Sequence, residues 1–231
     1  MLDASKFEVL TFDCYGTLID WETGIFSALR PILAAHGKSL PDSQLLELYG
    51  DFEADAESGA YRTYRDILAT VVSHFGERLG FTPSEKEVRS LANSVPSWQP
   101  WPDTVEALRR LQQKYRLAII SNIDDDLFAA TRSLLKVPFA WVMTAQQARC
   151  YKPGLDIFKR ALEEIPVPRE RILHAGQSIY HDVLPAQSLG LATVWVNRTS
   201  PRPNVGAVRQ ARGLPDLEVR DLKMLADTLL V

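Results

Sequence analysis

Five short apolar runs, each rich in β-branched or aromatic residues, recur along this chain of 231 residues. They lie at residues 7–12, 117–121, 139–144, 171–176 and 192–197. Runs of this length and composition are typical of strands buried on both faces of a parallel sheet. Helix-like segments accompany the later runs, at residues 102–114, 154–165, 182–189 and 222–230. This alternation predicts an α/β fold built on a parallel sheet.

The interval between the first and second runs is much longer than the others. It contains no convincing strand and four amphipathic stretches, at residues 24–36, 42–58, 60–79 and 83–94. It ends in PSWQPWPD (96–103), a Pro- and Trp-rich turn at which the chain returns to the sheet. We therefore expect a helical cap domain of residues 17–96, inserted into an α/β core domain of residues 1–16 and 97–231.

Charge and composition exclude several classes of protein. The net charge of −3 leaves no cationic excess for binding nucleic acid or an anionic membrane surface. No apolar run approaches the roughly 20 residues that a membrane-spanning helix needs. The sequence MLDASKFEV lacks the features of a signal peptide, and two cysteines, Cys14 and Cys150, are too few for a disulfide framework. We expect a cytoplasmic protein that binds neither nucleic acid nor membranes.

Polar residues follow the predicted strands. In open α/β sheets, ligands bind outside the carboxyl ends of the strands, so residues at these positions are candidates for a site. The positions are occupied by Asp13, Ser121, Asn122, Lys152, Gln177, Ser178 and Asp182. An acid, a hydroxyl, an amide and a lysine at one sheet edge predict an active site.

Four motifs at these strand ends resemble those of the haloacid dehalogenase superfamily. They are Asp13-x-Tyr15-Gly16-Thr17-Leu18, Ser121-Asn122, Tyr151-Lys152-Pro153, and Gln177-Ser178 with His181-Asp182. The motifs occur in order through nearly the whole chain, and the cap lies where the superfamily places it. Within the superfamily, the Asp-x-Tyr and Tyr-Lys-Pro forms are most similar to the type II L-2-haloacid dehalogenases. The resemblance implies a Rossmann-like core with a helical cap.

The resemblance also implies roles for these residues. Asp13 would be a nucleophile that forms an ester with the substrate, which splits one difficult displacement into two easier steps. Lys152 would hold the Asp13 carboxylate, and a cation between Asp13 and Asp182 would keep both acids ionised. Asp182 would support Lys152 or position water. The expected substrate contacts are Ser121, Asn122, Thr17, Gln177 and Ser178.

Tyr15 stands where phosphatases of this superfamily carry a second Asp as general acid. An alcohol leaving group needs a proton, whereas a halide departs as a stable anion. A tyrosine with an ordinary pKa near ~10 is a poor acid, so Tyr15 favours a leaving group that departs unaided. Its side chain is expected either to pack in the pocket or to contact the substrate.

The fourth motif bears on metal dependence. Magnesium-dependent members usually place an acid after the glycine of this strand end, but Gln177 follows Gly176 here. Asp13 and Asp182 remain as carboxylates that could hold Mg²⁺ together with waters and a substrate phosphate. We expect no required metal or other cofactor, with Mg²⁺ as the alternative.

One expected residue is missing from the cap. Dehalogenases of this type are expected to carry an Arg in the first cap helices, where it meets the substrate carboxylate or the departing halide. The corresponding segment here, near Tyr49-Gly50-Asp51, has none. Arg62 and Arg65 are the nearest substitutes for binding the substrate, because a guanidinium suits a carboxylate. Both also fit solvated charges on a helix.

These observations predict a metal-independent hydrolase that removes halide from short 2-haloalkanoic acids, with a small carboxylic acid as its ligand. Two alternatives stay open. One is a Mg²⁺-dependent phosphatase of small molecules, and the other is a scaffold that binds a metabolite or a partner protein with little turnover. The resemblance further implies a homodimer.

Overall fold

The centre of the protein is a parallel sheet, seen in a computed structural model that describes residues 2–198, 207 and 211–230. Its strands are β1 (Val9–Phe12), β2 (Arg116–Ser121), β3 (Trp141–Thr144), β4 (Ile172–Gly176), β5 (Ala192–Val196) and β6 (Leu217–Val219). They pair in the order β3-β2-β1-β4-β5-β6, and every pair is parallel. The predicted α/β fold is confirmed.

β1 lies in the middle of this sheet. It pairs with β2 on one side and with β4 on the other, and all of its residues are buried. Burial on both faces is what a continuous apolar strand requires. Because the chain moves to the opposite side of β1 between β3 and β4, the topological switch point lies here. The carboxyl end of β1 is therefore the place where a ligand is expected.

Helices connect the strands. They are α1 (Trp21–Ala35), α2 (Asp42–Glu57), α3 (Tyr64–Leu79), α4 (Glu85–Ser94), α5 (Thr104–Leu111), α6 (Asp125–Leu135), α7 (Ala145–Ala148), α8 (Leu155–Glu164), α9 (Leu184–Ser188) and α10 (Leu222–Leu229). A π-helical turn, Ile179–Val183, directly precedes α9. Among the described residues, no helix is long and apolar enough to cross a membrane.

The helices α1 to α4 lie between β1 and β2 in the chain and pack together. Contacts join α2 to α3, α3 to α4 and α1 to α4. Side chains fix their starts: Thr63 caps α3, and Ser84 with Glu87 forms a capping box at α4. Apolar side chains of these helices join those of β1 in one buried cluster. The domain division at residues 17–96 and 97–231 stays a prediction, and residues 1 and 231 lie outside the described part.

A buried carboxylate connects α3 to the loop after β2. Asp124, which is 2% exposed, accepts hydrogen bonds from the backbone N–H groups of Tyr64 and Arg65, each at 2.9 Å. These N–H groups belong to the first turn of α3 and have no partner within the helix. The positive end of the helix dipole also favours a carboxylate at this place. Asp124 therefore ties α3 to the edge of the sheet.

The observed elements differ from the predicted ones mainly at their ends. All five predicted strands are present, with ends shifted by one or two residues. β6 escapes the sequence prediction because its Leu-Glu-Val sequence is short and polar in the middle. The helix predicted at 182–189 is wrong at its start, because the π-helical turn begins at Ile179. Asp182 lies inside that turn rather than at the first position of a helix.

Gly24 in α1 leaves room for the indole of Trp98, which comes from the turn that returns the chain to the sheet. A Cβ at position 24 would lie 2.4 Å from the Trp98 ring. We expect Gly24→Ala to lower the free energy of unfolding by about 1–3 kcal/mol, because overpacking outweighs the gain of about 1 kcal/mol in helix propensity. Urea denaturation measures the change.

Ser27→Ala is the matched control for Gly24→Ala, since Ser27 lies on the exposed side of the same helix. It is expected to change the stability by less than about 0.5 kcal/mol. A Gly24→Ala protein as stable as the wild type would contradict the close packing of α1 against Trp98.

Candidate active site

Lys152 lies at the centre of the residues that follow the strands. Its Nζ donates hydrogen bonds to Asp13 Oδ1 at 2.8 Å, to Asp182 Oδ1 at 2.7 Å and to the backbone carbonyl of Ile120 at 3.0 Å. The side chain is 2% exposed. An ammonium has three N–H donors, and all three are used. Lys152 thus joins the ends of β1 and β2 to the π-helical turn after β4.

The amide of Asn122 fixes the backbone of Lys152. Asn122 Oδ1 accepts from Lys152 N at 2.7 Å, and Asn122 Nδ2 donates to Lys152 O at 3.1 Å. This pair of bonds holds the segment before α8 against the end of β2. The amide therefore positions the lysine as well as facing the site.

Charge and burial set the ionisation of the three groups. Burial opposes the ammonium of Lys152, but the two carboxylates outweigh it and raise the pKa of Lys152 above its usual value. Burial also opposes the Asp182 carboxylate, but Lys152 and His174 hold the pKa of Asp182 below its usual range. At Asp13, burial prevails over Lys152 and raises the pKa. Asp13 is therefore the more basic carboxylate of the two.

Thr17 fixes the second oxygen of Asp13. Its Oγ1 donates to Asp13 Oδ2 at 2.7 Å and accepts from the backbone N–H of Gln177 at 2.8 Å. Thr17 is completely buried and does not line the cavity described below. The contact of Thr17 with the substrate stays a prediction. Its hydroxyl is bonded to Asp13 and Gln177, so Thr17 orients Asp13.

Residues of β4 and of the segment after it also contact Asp182. His174 Nε2 lies 3.4 Å from Asp182 Oδ1, and its Nδ1 lies 2.9 Å from Thr11 Oγ1. Ser178 N donates to Asp182 Oδ2 at 3.2 Å. A Cβ at Gly176 would lie 2.4 Å from Asp182 Cβ, so glycine is needed for this close approach. The contacts leave Asp182 as a rigid support for Lys152.

A small cavity opens in front of Asp13. Its volume is about 50 Å³, which has room for a ligand of only a few non-hydrogen atoms. It is lined by Asp13, Tyr15, Trp21, Glu53, Glu57, Tyr64, Ser121, Asn122, Lys152, Gln177, Ser178, His181 and Asp182. Ser121 Oγ is buried with no hydrogen-bond partner among the described residues. A buried hydroxyl without a partner is costly, so a ligand atom is its natural partner.

Comparison with known proteins identifies the family. The sequence model of the haloacid dehalogenase-like hydrolases matches residues 7–190. The chain belongs to this family.

Several relatives of this haloacid dehalogenase-like hydrolase have assigned activities. The chain is 26% identical to (S)-2-haloacid dehalogenase H-109 of Pseudomonas putida, over 96% of this chain and 98% of that protein. It is 28% identical to pyrimidine 5'-nucleotidase YjjG of Escherichia coli (strain K12), over 83% of this chain and 87% of that protein. An L-2-haloacid dehalogenase structure from Xanthobacter autotrophicus has a TM-score of 0.82 at 20% identity, covering 97% and 98% of the two chains. That structure shares the fold.

Tyr15 of this haloacid dehalogenase-like hydrolase forms part of the cavity wall. Its hydroxyl lies 2.7 Å from Thr131 Oγ1, and its ring meets the Trp98 ring edge-on. Burial raises the pKa of Tyr15 well above the ordinary value. The hydroxyl is therefore a still weaker acid than the sequence suggests.

Arg62 and Arg65, predicted to bind the substrate, are not among the residues that line the cavity. Arg62 donates to the carbonyl of Ala56 and to Thr70 Oγ1. Arg65 forms an ion pair with Asp126 at 2.6 Å, with both side chains substantially exposed. Both guanidinium groups are engaged by these local contacts outside the cavity.

Two acids of the cap line the cavity in place of an arginine, and sequence analysis missed both. Glu53 Oε1 accepts hydrogen bonds from the hydroxyls of Tyr49, at 2.7 Å, and Tyr64, at 2.6 Å. Glu57 follows one helical turn later and lies 3.5 Å from Asn122 Nδ2. The available signal was the position of Glu53 on the apolar face of α2, four residues after the buried Tyr49.

Burial shifts the ionisation of both acids. It raises the pKa of Glu53 to about 7, although the two tyrosine hydroxyls act in the opposite direction. Burial and the neighbouring charge of Glu53 raise the pKa of Glu57 well above its usual value. Both acids on the cap side of the cavity therefore bind a proton more readily than ordinary glutamates do.

The donor set fits a divalent metal poorly. Asp13 and Asp182 already share the ammonium of Lys152, and Gln177 offers an amide where metal-dependent relatives are expected to have an acid. No group of three or more His, Cys, Asp and Glu side chains among the described residues is arranged to hold an ion. Mg²⁺ prefers carboxylate and water ligands in octahedral geometry.

Lys152→Met tests the charge balance of the site. It leaves Asp13 and Asp182 buried without a cation, so the stability is expected to fall by about 3–5 kcal/mol near neutral pH. Without the ammonium, both carboxyl pKa values rise above their values in the unfolded chain. The destabilisation is then smaller at low pH, where the acids are protonated, and grows as the pH rises through the raised pKa values.

Urea unfolding of Lys152→Met near pH 5 and near pH 8 measures this effect. Lys159→Met, on the exposed surface of α8, is the control and is expected to change little at either pH. An equal loss of stability of Lys152→Met at both pH values would show that the two carboxylates do not depend on the lysine charge.

Proposed function

We propose that this protein hydrolyses the carbon–halogen bond of short 2-haloalkanoic acids, as an (S)-2-haloacid dehalogenase, through an ester on Asp13. The observation that carries the proposal is the Asp13 carboxylate at the cavity, oriented by Lys152 on one oxygen and by Thr17 on the other. The dehalogenase from Pseudomonas putida, which matches nearly the full length of the chain, supports the same reaction class.

In the first step, a carboxylate oxygen of Asp13 attacks C2 of the substrate. A new carbon–oxygen bond forms as the carbon–halogen bond breaks, and the halide leaves with the bonding electron pair. A desolvated carboxylate is a better nucleophile than one in water, and burial of Asp13 supplies this condition. Lys152 stays charged throughout and neutralises Asp182 while Asp13 becomes a neutral ester.

In the second step, water attacks Cγ of the Asp13 ester. The ester bond to the substrate breaks, the 2-hydroxy acid leaves, and the Asp13 carboxylate is restored with one oxygen from water. The overall reaction consumes one water and releases one halide and one proton. In this proposal Ser121 Oγ binds a substrate carboxylate oxygen, and its lack of a hydrogen-bond partner among the described residues supports that role.

The leaving group is the feature that separates this proposal from a phosphatase. Tyr15 occupies the position of the expected general acid, and its raised pKa makes proton transfer to an alcohol unfavourable. The small volume of the cavity also disfavours a nucleotide, which is the substrate class in the name of the relative from Escherichia coli. A binding scaffold with little turnover is the other alternative. Release of neither halide nor phosphate from any substrate tested would support it.

Asp13→Asn is expected to reduce halide release from (S)-2-chloropropionate by more than about 1,000-fold, because the amide cannot form the ester. The fold should persist, since the two side chains have nearly the same shape. Halide is measured directly, with and without EDTA, beside phosphate release from generic phosphoesters. A single turnover in water labelled with heavy oxygen should place the label in the wild-type peptide that carries Asp13.

Asp126→Asn is the control, because Asp126 is exposed and pairs with Arg65 outside the cavity. It should release halide at the wild-type rate. Undiminished halide release by Asp13→Asn would remove Asp13 from the nucleophile role. Phosphate release that EDTA abolishes, with no halide released, would replace the dehalogenase by the phosphatase.

We also propose a homodimer, from the family resemblance, and a cytoplasmic location, from charge and composition. Light scattering of the purified protein measures the first and is expected to give twice the chain mass of 26.0 kDa. A mass equal to that of one chain would contradict the dimer without affecting the proposed reaction.

A further inference from the structure

The cap side of the cavity is formed by two carboxyl groups on one face of α2. Glu53 and Glu57 are four residues apart, so their side chains are neighbours on the helix surface. Glu53 is 8% exposed, and Glu57 is partly buried, and both line the cavity. Like charges at this spacing repel each other, and burial strengthens the repulsion.

If all of its carboxyl groups were ionised, this cavity would repel an anion. Four carboxyl groups line it, those of Asp13, Asp182, Glu53 and Glu57, against the single ammonium of Lys152 among the described lining residues. A 2-haloalkanoate and a released halide are both anions. A proton retained on one of the glutamates reduces the repulsion when such an anion is bound.

Hydrogen bonding distinguishes the two glutamates. The hydroxyls of Tyr49 and Tyr64 both donate to Oε1 of Glu53, and donors of this kind stabilise an ionised carboxylate. Burial raises the pKa of both tyrosines, so they remain donors at neutral pH. Within the described part of the chain, the only hydrogen bond of Glu57 is the long 3.5 Å contact with Asn122 Nδ2. The proton of the pair therefore resides on Glu57, which faces the ligand space.

We propose that the neutral carboxyl of Glu57 donates a hydrogen bond to an anion in the cavity, in the place where an arginine is expected from the cap. The anion is the substrate carboxylate or the released halide, and its binding is linked to the proton on Glu57. The unpartnered Ser121 Oγ, buried in the same cavity, is an independent sign that a ligand with acceptor atoms belongs there. The proposal rests on the proposed function for the identity of the anion.

Other ionisable groups surround the glutamate pair and have to be separated from it. They are Tyr49 on α2, Tyr64 on α3, Asp13 and Tyr15 after β1, Asp124 after β2, Tyr151 and Lys152 before α8, and His181 and Asp182 after β4. Loss of a proton from His181 would weaken anion binding, just as loss of the Glu57 proton would. A variant of Glu57 that cannot titrate distinguishes the two.

The test compares wild-type protein, Glu57→Gln and Glu57→Ala in the binding of chloride and of propionate, measured by calorimetric titration. At about pH 6.5, Glu57→Ala is expected to bind at least one of the anions about tenfold more weakly, since the donor is gone. Glu57→Gln keeps an N–H donor and should remain within about threefold of the wild type. Above the pKa of Glu57, wild-type affinity should fall by about tenfold per pH unit, with proton uptake on binding, and Glu57→Gln should abolish this dependence.

Glu47→Gln is the matched control, because Glu47 lies on the exposed face of the same helix. It should reproduce the wild-type titrations. A weaker binding of propionate alone by Glu57→Ala places Glu57 at the substrate carboxylate, and a weaker binding of chloride alone places it at the departing halide.

Three results would overturn the proposal. Tighter anion binding by Glu57→Gln or Glu57→Ala would mean that Glu57 is ionised and that the pair serves a cationic group. Unchanged affinity of Glu57→Ala for both anions would remove Glu57 from binding. A pH dependence that persists in Glu57→Gln would assign the proton to another group, with His181 the nearest candidate. Anion binding requires no turnover, so halide release by the wild type tests the proposed function separately.

Discussion

The ammonium of Lys152 between Asp13 and Asp182 is the interaction on which the rest of this site depends. Without this cation, the two buried carboxylates would repel each other, and at least one of them would take up a proton. The lysine reaches them only because β1 lies between β2 and β4, which brings the carboxyl ends of these strands to one place. Its remaining N–H bonds the Ile120 carbonyl, so the charge has a single position. The topology of the sheet therefore sets the geometry of the nucleophile.

The two sides of the cavity control negative charge by different means. On the sheet side, a permanent cation neutralises the carboxylates, and its pKa is raised far from neutrality by its partners. On the cap side, the acids of α2 are stabilised by tyrosine hydroxyls and by retained protons. Sensitivity to pH near neutrality is thus expected from the acids of α2, while Lys152 and Asp182 keep their charges.

The sequence predicts the sheet and the sheet-side residues well, because both depend on local pattern and on topology. Apolar runs locate the strands, and the segments at the strand ends meet at one edge of the sheet, as Asp13 after β1, Ser121 at the end of β2 and Lys152 in the segment after β3 do. The cap residues follow no such rule. Arg65 lies outside the cavity because its partner, Asp126, comes from α6, and Glu53 is recognisable only as an acid on an apolar helix face. Which side chains of the cap helices face the sheet side of the cavity depends on packing between segments that are distant in the sequence.

The hydrogen bonds of Asp124 to the start of α3 have a consequence for access to the cavity. Hydrogen bonds weaken steeply as they lengthen or bend. The two hydrogen bonds that Asp124 accepts are therefore either formed or broken, with little stability in between. If α3 swings outward, both bonds break together, and water takes their place. Entry of a molecule larger than this cavity would then require a discrete open state, in which both bonds of Asp124 are lost together with the other contacts of α3 to the core.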